Sequence, residues 1–446
     1  MTMLDTEDIQ SLVFSAHGGL PQARICRLIV QDRGPARDGL RNVIPEIAFG
    51  LHRSARCPDS RVQILFSAEG LRTLAGESAV SRLGRPFRQG IATGQRSRAL
   101  GDLGPNHPGN WRWRDAGIHA LLIVYARDES TVDGEVQRLL KLMGGAWRLE
   151  GWESVRLPEN SREPFGFRDG ISKVRMDIGD GRPPPAGYAL VPPEEILINH
   201  KHGSPDVLAQ NSAYVVVRQI EQDVAAFWRF WQEQAVSEAE AVWLAAKAVG
   251  RWPNGMPVSG AEPMAEPPED ETILQQNLSF LNDPRGEGCP FGAHIRRANP
   301  RDGLRLDPAL SLSLVSGRRI IRRGRVYGSP APAEAYPPTL RPHLEAPASP
   351  PGDNRGLYFL ALCADIAGQF EFIQQTWLNN PKHADLFDEV DPIAAGDGIQ
   401  GANPHFSIPR DPLRRRITGI EKWITIRAGG YFLLPGKMAL ARLASP

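Results

Sequence analysis

An acidic side chain stands among glycines in the segment EPFGFRDGIS, residues 163–172. Asp169 follows the basic Arg168 and precedes Gly170, and Gly166 lies three residues upstream of it. Because glycine adopts sharply turned backbone conformations at little steric cost, this segment can bring a carboxylate close to a large, flat partner. The spacing therefore indicates a site in which Asp169 acts as an acid or a base.

A histidine occupies a similarly constrained segment, GEGCPFGAHIRRANPRDG. Glycine, proline and small residues precede His294, and Arg296, Arg297 and Arg301 follow it. A histidine offered from a rigid loop can be an axial ligand to a metal in a cofactor, with nearby arginines for anionic groups such as propionates. On these residues alone, a loop histidine beside solvated arginines remains the more common explanation.

A second histidine pattern consists of His200 and His202, which flank Lys201. Alternate residues of a strand face one side of a sheet, so this pair could hold a metal ion if the segment is a strand. No acidic partner stands next to the pair, and a metal site here is the weaker interpretation.

The segment GRRIIRRGRVYG, residues 317–328, concentrates positive charge in a predicted strand. Arg318 and Arg322 share one face of that strand, and Arg319 and Arg323 share the other. Arginine on both faces places guanidinium groups among apolar side chains, which is costly unless a partner neutralises them. A solvated charged face therefore does not explain this segment.

Strands and helices that alternate along the chain must position these residues. The segments ARICRLIVQD, RVQILFSAEGLRTLAG and IHALLIVYARDESTVDGEVQRLLKLMGG each contain a predicted buried strand, and a helix follows each strand. In the third helix one face carries Val132, Val136, Leu139, Leu140 and Met143. The pattern is typical of an α+β fold with helices on a sheet face.

After about residue 200 the pattern restarts. SAYVVVRQI predicts a strand, and EQDVAAFWRFWQEQ a helix whose stripe of Val224, Phe227, Trp228 and Trp231 indicates plain core. GLYFLALCAD predicts a strand, IAGQFEFIQQTWLNN a helix, and KWITIRAGGYFLLPG two strands separated by a Gly-Gly break. The proline- and glycine-rich stretches 179–195 and 329–354 predict loops or linkers.

Composition narrows the class of protein. The 446 residues exceed what one typical core supports, which favours two domains or one double-sized unit. With 52 basic and 51 acidic residues, neither nucleic acid nor an anionic membrane is expected as the main partner. The 4 cysteines form no CxxC pair, which argues against a zinc site and a disulfide scaffold. No export signal and no membrane-spanning stretch are visible, so we expect a cytoplasmic protein.

Five segments, in their order along the chain, resemble the dye-decolourising haem peroxidases. They are GFRDGIS, CPFGAHIRRANPR, RRIIRRGRVYG, GLYFLALCADIAGQFEFIQQTWLNN and WITIRAGGYFLLP. The chain is most similar to the longer, cytoplasmic-type members of that family. The resemblance implies two tandem ferredoxin-like α+β domains with antiparallel sheets and peripheral helices: residues 1–200, which carry the GxxDG motif, and residues 201–446. One haem b per chain is expected between the sheet and the helices of the C-terminal domain.

The resemblance also implies roles for single residues. His294 becomes the axial ligand of the haem iron, Asp391 the acceptor for its other ring nitrogen, and Asp169 and Arg322 the catalytic pair on the opposite, distal side. Residues expected to contact the haem are Phe167, Arg168, Gly170, Ile171, Ser172, Arg296, Leu357, Phe359 and Phe372. Tyr327 is a candidate for surface electron transfer to bulky substrates. Trp377 is a second candidate, although packing at an interface or in the core is the more common explanation for this tryptophan.

The function implied by the resemblance is that of a peroxidase, which reduces hydrogen peroxide and oxidises dyes and phenols. A homodimer is the expected assembly. One alternative is a haem-binding or haem-handling protein with little turnover, in which Asp169 and Arg322 would have no task. Another is a non-haem hydrolase built on acids and histidines, but the chain shows no serine elbow, metal pair or triad spacing.

Overall fold

The computed structural model describes residues 4–51, 58–158, 161–181, 188–202, 206–258, 279–304, 307–329 and 354–445. Its strands are β1 Gln22–Val30, β2 Ser60–Phe66, β3 Ala120–Ala126, β4 Trp147–Arg156, β5 Lys173–Met176, β6 Tyr188–Val191, β7 Ala213–Gln222, β8 Ile321–Arg322, β9 Arg325–Tyr327, β10 Gly356–Cys363, β11 His405–Ile408, β12 Arg415–Thr418 and β13 Ile424–Leu434. Its α-helices are α1 Arg33–Val43, α2 Ala68–Ala75, α3 Glu77–Val80, α4 Arg85–Gln89, α5 Gly94–Leu100, α6 Glu129–Met143, α7 Ile198–His202, α8 Val224–Glu233, α9 Glu238–Val249, α10 His294–Ala298, α11 Pro308–Ser316 and α12 Lys437–Leu443. Two π-helical segments follow β10, at Ala367–Glu371 and Ile373–Leu378.

Nine of these strands form one sheet in the order β7-β13-β2-β3-β1-β4-β9-β10-β8, and a further pairing of β10 with β7 closes it into a ring. The pairs within it are antiparallel. First-half strands meet second-half strands at two places, Leu433 opposite Phe66 and Arg156 opposite Val326. The predicted antiparallel α+β architecture is confirmed. The domain boundary near residue 200 stays a prediction.

Alternation along the strands divides the apolar side chains between cores. Ile25, Val217, Leu360 and Phe432, from strands of both halves, belong to one buried cluster. Residues one position away, such as Cys26, belong to a second cluster that includes α1, α2 and α6. A third cluster joins α8 and α9 to the loop around Phe165 and Phe167.

Seven of the described α-helices begin at a residue whose side chain accepts a backbone N–H bond, and these N-caps are Asp32, Ser67, Thr93, Asp128, Asp223, Ser237 and Asp307. The predicted apolar face of α6 is confirmed, with Val132, Val136, Leu139 and Met143 buried. The aromatic stripe of α8 is also core, as expected.

The predicted Gly-Gly break after KWITIRA is wrong, because β13 continues through it. A Cβ atom on Gly429 would lie 2.8 Å from the carbonyl oxygen of Val217, and one on Gly430 would lie 2.7 Å from Cβ of Asp115. The glycines therefore permit close packing across the strand rather than ending it.

The sequence predicts one strand for the arginine-rich segment, but the structure has two short strands there, β8 and β9. The chain leaves the ladder at Gly324, where an added Cβ atom would lie 2.7 Å from the carbonyl oxygen of Tyr358. The buried Arg325 donates to the carbonyl oxygens of Pro21, Ala16 and His17 at 2.7, 3.2 and 3.3 Å. Carbonyl groups, rather than an anion, thus satisfy this inward-facing guanidinium.

His200 and His202 lie in helix α7, so the condition for the weaker metal-site interpretation, a strand, is not met. Within the described part of the chain, no group of three or more His, Cys, Asp or Glu side chains could hold a metal ion. Nor is any helix there long and apolar enough to span a membrane. Of the two proline-rich stretches, residues 182–187 and 330–353 lie outside the described residues.

A buried ion pair connects the two halves of the chain. Arg218 of β7 donates to both carboxylate oxygens of Asp102, which follows α5, at 2.9 and 2.6 Å. Only 6% and 3% of these side chains are exposed. Burial raises the pKa of Asp102, and the Arg218 charge opposes that rise.

We expect Arg218→Met to lower the free energy of unfolding at pH 7 by about 3–5 kcal/mol, because it leaves Asp102 buried without its partner. Urea denaturation measures this change. Replacing Asp102 with Leu in the same chain should recover most of the loss. The matched control is Arg41→Met, which breaks an exposed pair with Asp38 and should cost less than about 1 kcal/mol. Equal losses at the two sites would contradict the expectation.

Candidate active site

The loop that carries Asp169 turns at two glycines, as the sequence indicated. Gly166 has φ 96° and Gly170 has φ 75°, values that favour glycine. The Asp169 amide donates to the carbonyl oxygen of Ser161 at 2.8 Å, and the Arg168 amide to that of Pro253 at 3.0 Å. The loop therefore fixes the backbone from which the acid projects.

Asp169 forms an ion pair with Arg322 of β8, with 3.2 Å between Nη1 and Oδ1. Both side chains are 43% exposed, whereas Ile321 beside Arg322 is 1% exposed. Burial of the carboxyl raises its pKa, but Arg322 and the Gly170 amide outweigh burial and hold the Asp169 pKa below its usual value. Asp169 is therefore a carboxylate that faces an opening.

His294, the first residue of α10, bonds to Asp391 as predicted. Nδ1 lies 2.9 Å from Oδ2 of Asp391, whose other oxygen accepts the Ile393 and Ala394 amides at 2.9 and 2.6 Å. Burial lowers the His294 pKa, yet the Asp391 charge and hydrogen bond raise it overall. The bond occupies Nδ1 and leaves Nε2 available for a ligand.

The Asp169–Arg322 pair and the His294–Asp391 pair interact electrostatically. Arg322 lowers the pKa of His294, and Asp169 raises it. The His294 side chain is 32% exposed, although its partner Asp391 is fully covered. The imidazole is therefore within electrostatic reach of the Asp169–Arg322 pair and borders open space itself.

Arg297, another arginine of the histidine segment, anchors α10 instead of receiving the anionic group that the sequence suggested for it. Arg297 is fully buried and donates to the carbonyl oxygens of Trp377, Glu389 and Asn380 at 2.9, 3.3 and 2.5 Å. Burial lowers its pKa to about 10. The only sequence signal was an arginine three residues after a candidate ligand.

The structure contradicts the predicted cofactor contact of Arg296. Its buried guanidinium lies between the rings of Phe280 and Phe291, bonded to Asp283 and to the carbonyl oxygen of Cys289. An acid within reach, not seen from the sequence, neutralises it. Arg296 therefore stabilises the loop before α10.

Positive charge collects beside the opening at Arg301, Arg319 and Arg251. Burial, together with the charges of Arg319 and Arg251, lowers the pKa of Arg301 to about 9. Arg301 donates to Oγ of Ser172 at 3.1 Å. Among the described residues, neither Arg301 nor Arg319 is in an ion pair. This edge is therefore suited to an anionic group.

Apolar side chains predicted for the pocket lie on the same elements. Leu357 and Phe359 of β10 are half-buried and share a sheet face with Arg322, which pairs with Ala361. The rings of Phe167 and Trp228 stack with centroids 6.0 Å apart. Ile171 is buried, and a Cβ atom on Gly255 would lie 2.5 Å from its Cδ1, so it packs on the 250–258 segment.

Three other residues predicted to contact the haem are Gly170, Arg168 and Phe372, and each has different surroundings. A Cβ atom on Gly170 would meet no heavy atom within 4 Å, which marks open space. Arg168 lies against Gly255. The Phe372 ring lies 4.1 Å from the Arg318 guanidinium carbon and 5.4 Å from the Trp377 ring.

The surface position expected for Tyr327 is wrong, whereas the packing favoured for Trp377 is confirmed. Their side chains are 5% and 6% exposed. Tyr327 packs edge-on against Tyr358 at 5.7 Å inside the sheet, because β9 turns alternate residues inward. Trp377 packs on Phe372. Neither residue offers a ring to a bulky molecule in solution.

The arrangement as a whole can hold a flat, apolar, metal-containing group with an acidic edge. His294 supplies a nitrogen ligand, Leu357 and Phe359 supply apolar contact, and the arginine cluster receives the acidic edge. The Asp169–Arg322 pair can move a proton and stabilise negative charge at one small molecule bound near the metal.

The chain is similar to known proteins in sequence and in structure. No family model matches the chain. It is 28% identical over 418 residues to dye-decolorizing peroxidase msp1 of Mycetinis scorodonius, a match that covers 87% of this chain and 77% of that protein. The structure matches an ancestral D-type dye decolorizing peroxidase with a TM-score of 0.82 and 25% identity over 100% of both chains. It also matches a dye-decolorizing peroxidase in complex with 2,6-dimethoxyphenol, with a TM-score of 0.83 and 22% identity over 99% of this chain and 100% of that one.

We expect Arg322→Leu to raise the pKa of Asp169, because the charge that opposes burial is removed. Infrared or ¹³C NMR titration of the carboxylate measures the pKa. The control is Arg318→Leu, which removes a neighbouring arginine that donates to the carbonyl oxygen of Gly368 instead. A pKa unchanged in Arg322→Leu would contradict the assigned ion pair.

Proposed function

The chain belongs to the dye-decolourising peroxidase family, and on this premise we propose that it is a haem peroxidase that reduces hydrogen peroxide and oxidises dyes and phenols. The observation that carries the proposal is that two pairs, His294–Asp391 and Asp169–Arg322, lie within electrostatic reach of each other and are both partly exposed. A protein that only binds or transports haem has no use for the second pair, so the haem-handling alternative is disfavoured.

One haem b fits the residues around the opening. His294 would ligate its iron, Leu357 and Phe359 would contact the macrocycle, and Arg301 and Arg319 would neutralise its propionates. The supporting observation is the positive charge of Arg301, which forms no ion pair with a described residue, together with the partly exposed imidazole of His294. When bound, haem supplies the redox chemistry that no side chain here provides.

Asp169 is the proposed proton shuttle. As a carboxylate it accepts a proton from one oxygen of hydrogen peroxide and delivers a proton to the other, which leaves as water. Its lowered pKa keeps it in the accepting form down to acidic pH. Arg322 stabilises the negative charge that develops on the leaving oxygen.

His294 and Asp391 would lie on the side of the haem opposite to Asp169 and Arg322. The Asp391 carboxylate accepts from Nδ1, which fixes the orientation of the ring and makes Nε2 a stronger electron donor. Three further bonds from the buried Arg297 keep α10, and with it His294, in place. These residues would orient the ligand and tune the metal without touching peroxide.

The organic substrates proposed are phenols and dyes. A structurally similar peroxidase has been crystallised with 2,6-dimethoxyphenol, and the relative from Mycetinis scorodonius is named for dye decolourisation. We further propose that the strand orders β2-β3-β1-β4 and β13-β7-β10-β9 represent two ferredoxin-like halves, with haem between the second sheet and its helices. The homodimer and the cytoplasmic location stay predictions.

We expect His294→Ala to abolish the Soret band of the haem-reconstituted protein, because the nitrogen ligand is lost. Absorbance in the Soret region measures it. His405→Ala, which removes a buried histidine paired with Asp388, is the control and should keep the band. An unchanged haem spectrum in His294→Ala would rule out the ligand assignment.

We expect Arg322→Leu to slow the reaction with hydrogen peroxide by about 10²–10³-fold while haem is retained. The active form of Asp169 is the carboxylate, so the rate falls as pH drops through its pKa. Losing Arg322 raises that pKa, and the acid limb of the pH–rate profile should move to higher pH. Stopped-flow absorbance measures both effects. An unaffected rate and limb would show that Arg322 is not a distal residue.

A further inference from the structure

A second carboxylate in the Asp169 loop has no part in the proposed chemistry. Glu163 accepts the Phe167 amide at Oε1, 2.9 Å away, and the Phe165 amide at Oε2, 3.0 Å away. Its own amide donates to the carbonyl oxygen of Phe167 at 2.9 Å, and its carbonyl oxygen accepts the Gly166 amide at 2.8 Å. One residue thus closes the turn from 163 to 167 with both its backbone and its side chain.

The same carboxylate ties the turn to the sheet. Nε2 of Gln222 donates to Oε2 of Glu163 at 2.8 Å. Gln222 is buried at the end of β7, where it pairs with Ile424 of β13 and its amide donates to the carbonyl oxygen of Arg355. Glu163 is therefore bonded to the sheet that also carries Arg322.

This bond connects the two members of the distal pair. Arg322 lies on β8, which pairs with β10, and β10 pairs with β7. Asp169 lies two residues beyond Phe167, whose amide Glu163 holds. The distance between Asp169 and Arg322 therefore depends on how the loop is attached to β7. The hydrogen bond between Gln222 and Glu163 makes this attachment.

The contacts of Glu163 restrict the residue type at this position. Three N–H donors converge on one side chain, and only a carboxylate offers two acceptor oxygens to them without presenting a donor of its own. The position is unfavourable for a charge, because burial raises the pKa of Glu163 to about 7. A glutamine would meet the amide donors with its own NH₂ group.

We propose that Glu163 is a positioning residue, which holds the Asp169 loop on the sheet so that the acid meets Arg322 and peroxide in the reactive geometry. The proposal rests on the proposed peroxidase function, and it assigns Glu163 no contact with substrate or haem. A misplacement of about 1 Å in such a group can lower a rate by about 10²-fold.

The test compares wild-type holoenzyme with Glu163→Gln. Hydrogen–deuterium exchange of the Phe165 and Phe167 amides should become at least about tenfold faster. The second-order rate constant with hydrogen peroxide should fall by about 10- to 100-fold, with kcat/KM for 2,6-dimethoxyphenol changed less than about twofold and the Soret band retained. Unchanged exchange together with an unchanged peroxide rate would overturn the proposal.

A double variant separates positioning from general damage. If Glu163 acts through Asp169, Glu163→Gln should slow the peroxide reaction of Asp169→Asn by less than about twofold further. A full additional loss would mean a merely structural role and would overturn the proposal. If Asp169→Asn itself reacts at the wild-type rate, the proposed function is wrong, and so is the inference that depends on it. The hydrogen–deuterium exchange result, which reports on the loop alone, distinguishes this failure from a failure of the inference by itself.

Two further variants guard against misfolding. Gln222→Leu removes only the bond to the sheet, so the peroxide rate should fall by about three- to tenfold with the loop amides still protected. The matched control is Glu389→Gln, another buried glutamate with a pKa of about 7, which accepts the Ser407 amide at 2.7 Å. It should leave exchange at Phe165 and Phe167 unchanged. Wild-type peroxide rates in both Glu163→Gln and Gln222→Leu would contradict the proposal.

Discussion

The ion pair between Asp169 and Arg322 is the interaction on which the rest of the site depends. An aspartate enclosed by protein tends to bind a proton, and a neutral carboxyl group cannot accept one from peroxide. Arg322 reverses that tendency at a distance of 3.2 Å. Because the two residues lie on a loop and on a strand far apart in the chain, the fold must hold both elements in place at once.

The protein handles its buried arginines in two ways. Arg297 and Arg325 donate to backbone carbonyl oxygens, so their charge is accommodated by dipoles at chain segments that they hold together. Arg218 and Arg296 instead bond to the carboxylates of Asp102 and Asp283. Arg301 has a long bond to the carbonyl oxygen of Asn299, at 3.4 Å, and no ion pair with a described residue, so the edge of the opening is suited to an external anion.

The closed sheet explains why the elements around the site keep their distances. β10 carries Leu357 and Phe359 and pairs with both β7 and the short strand of Arg322, so the apolar wall and the guanidinium share one framework. His294 is outside that framework. Its orientation comes from Asp391 and from the anchored helix α10, which lets the two sides of the opening be held independently.

The sequence by itself determined the element types and the identities of the chemical groups. Gly166 and Gly170 indicated a turn that carries Asp169, and both have the positive φ that only glycine adopts easily. The resemblance, carried by ordered motifs, supplied Arg322, His294 and Asp391 as candidates. These are local properties, because short segments of sequence determine the backbone conformation of a turn and the chemistry of each side chain.

Tertiary structure decided which side chains are neutralised, and by what. Arg296 and Arg301 look equivalent in the sequence, yet only Arg296 meets an acid, since Asp283 is brought beside it by the fold. The burial of Tyr327 follows from closure of the sheet, which no single segment reveals. Glu163 gains its importance from Gln222, 59 residues away. Contacts between distant segments depend on packing, and packing is a property of the whole chain.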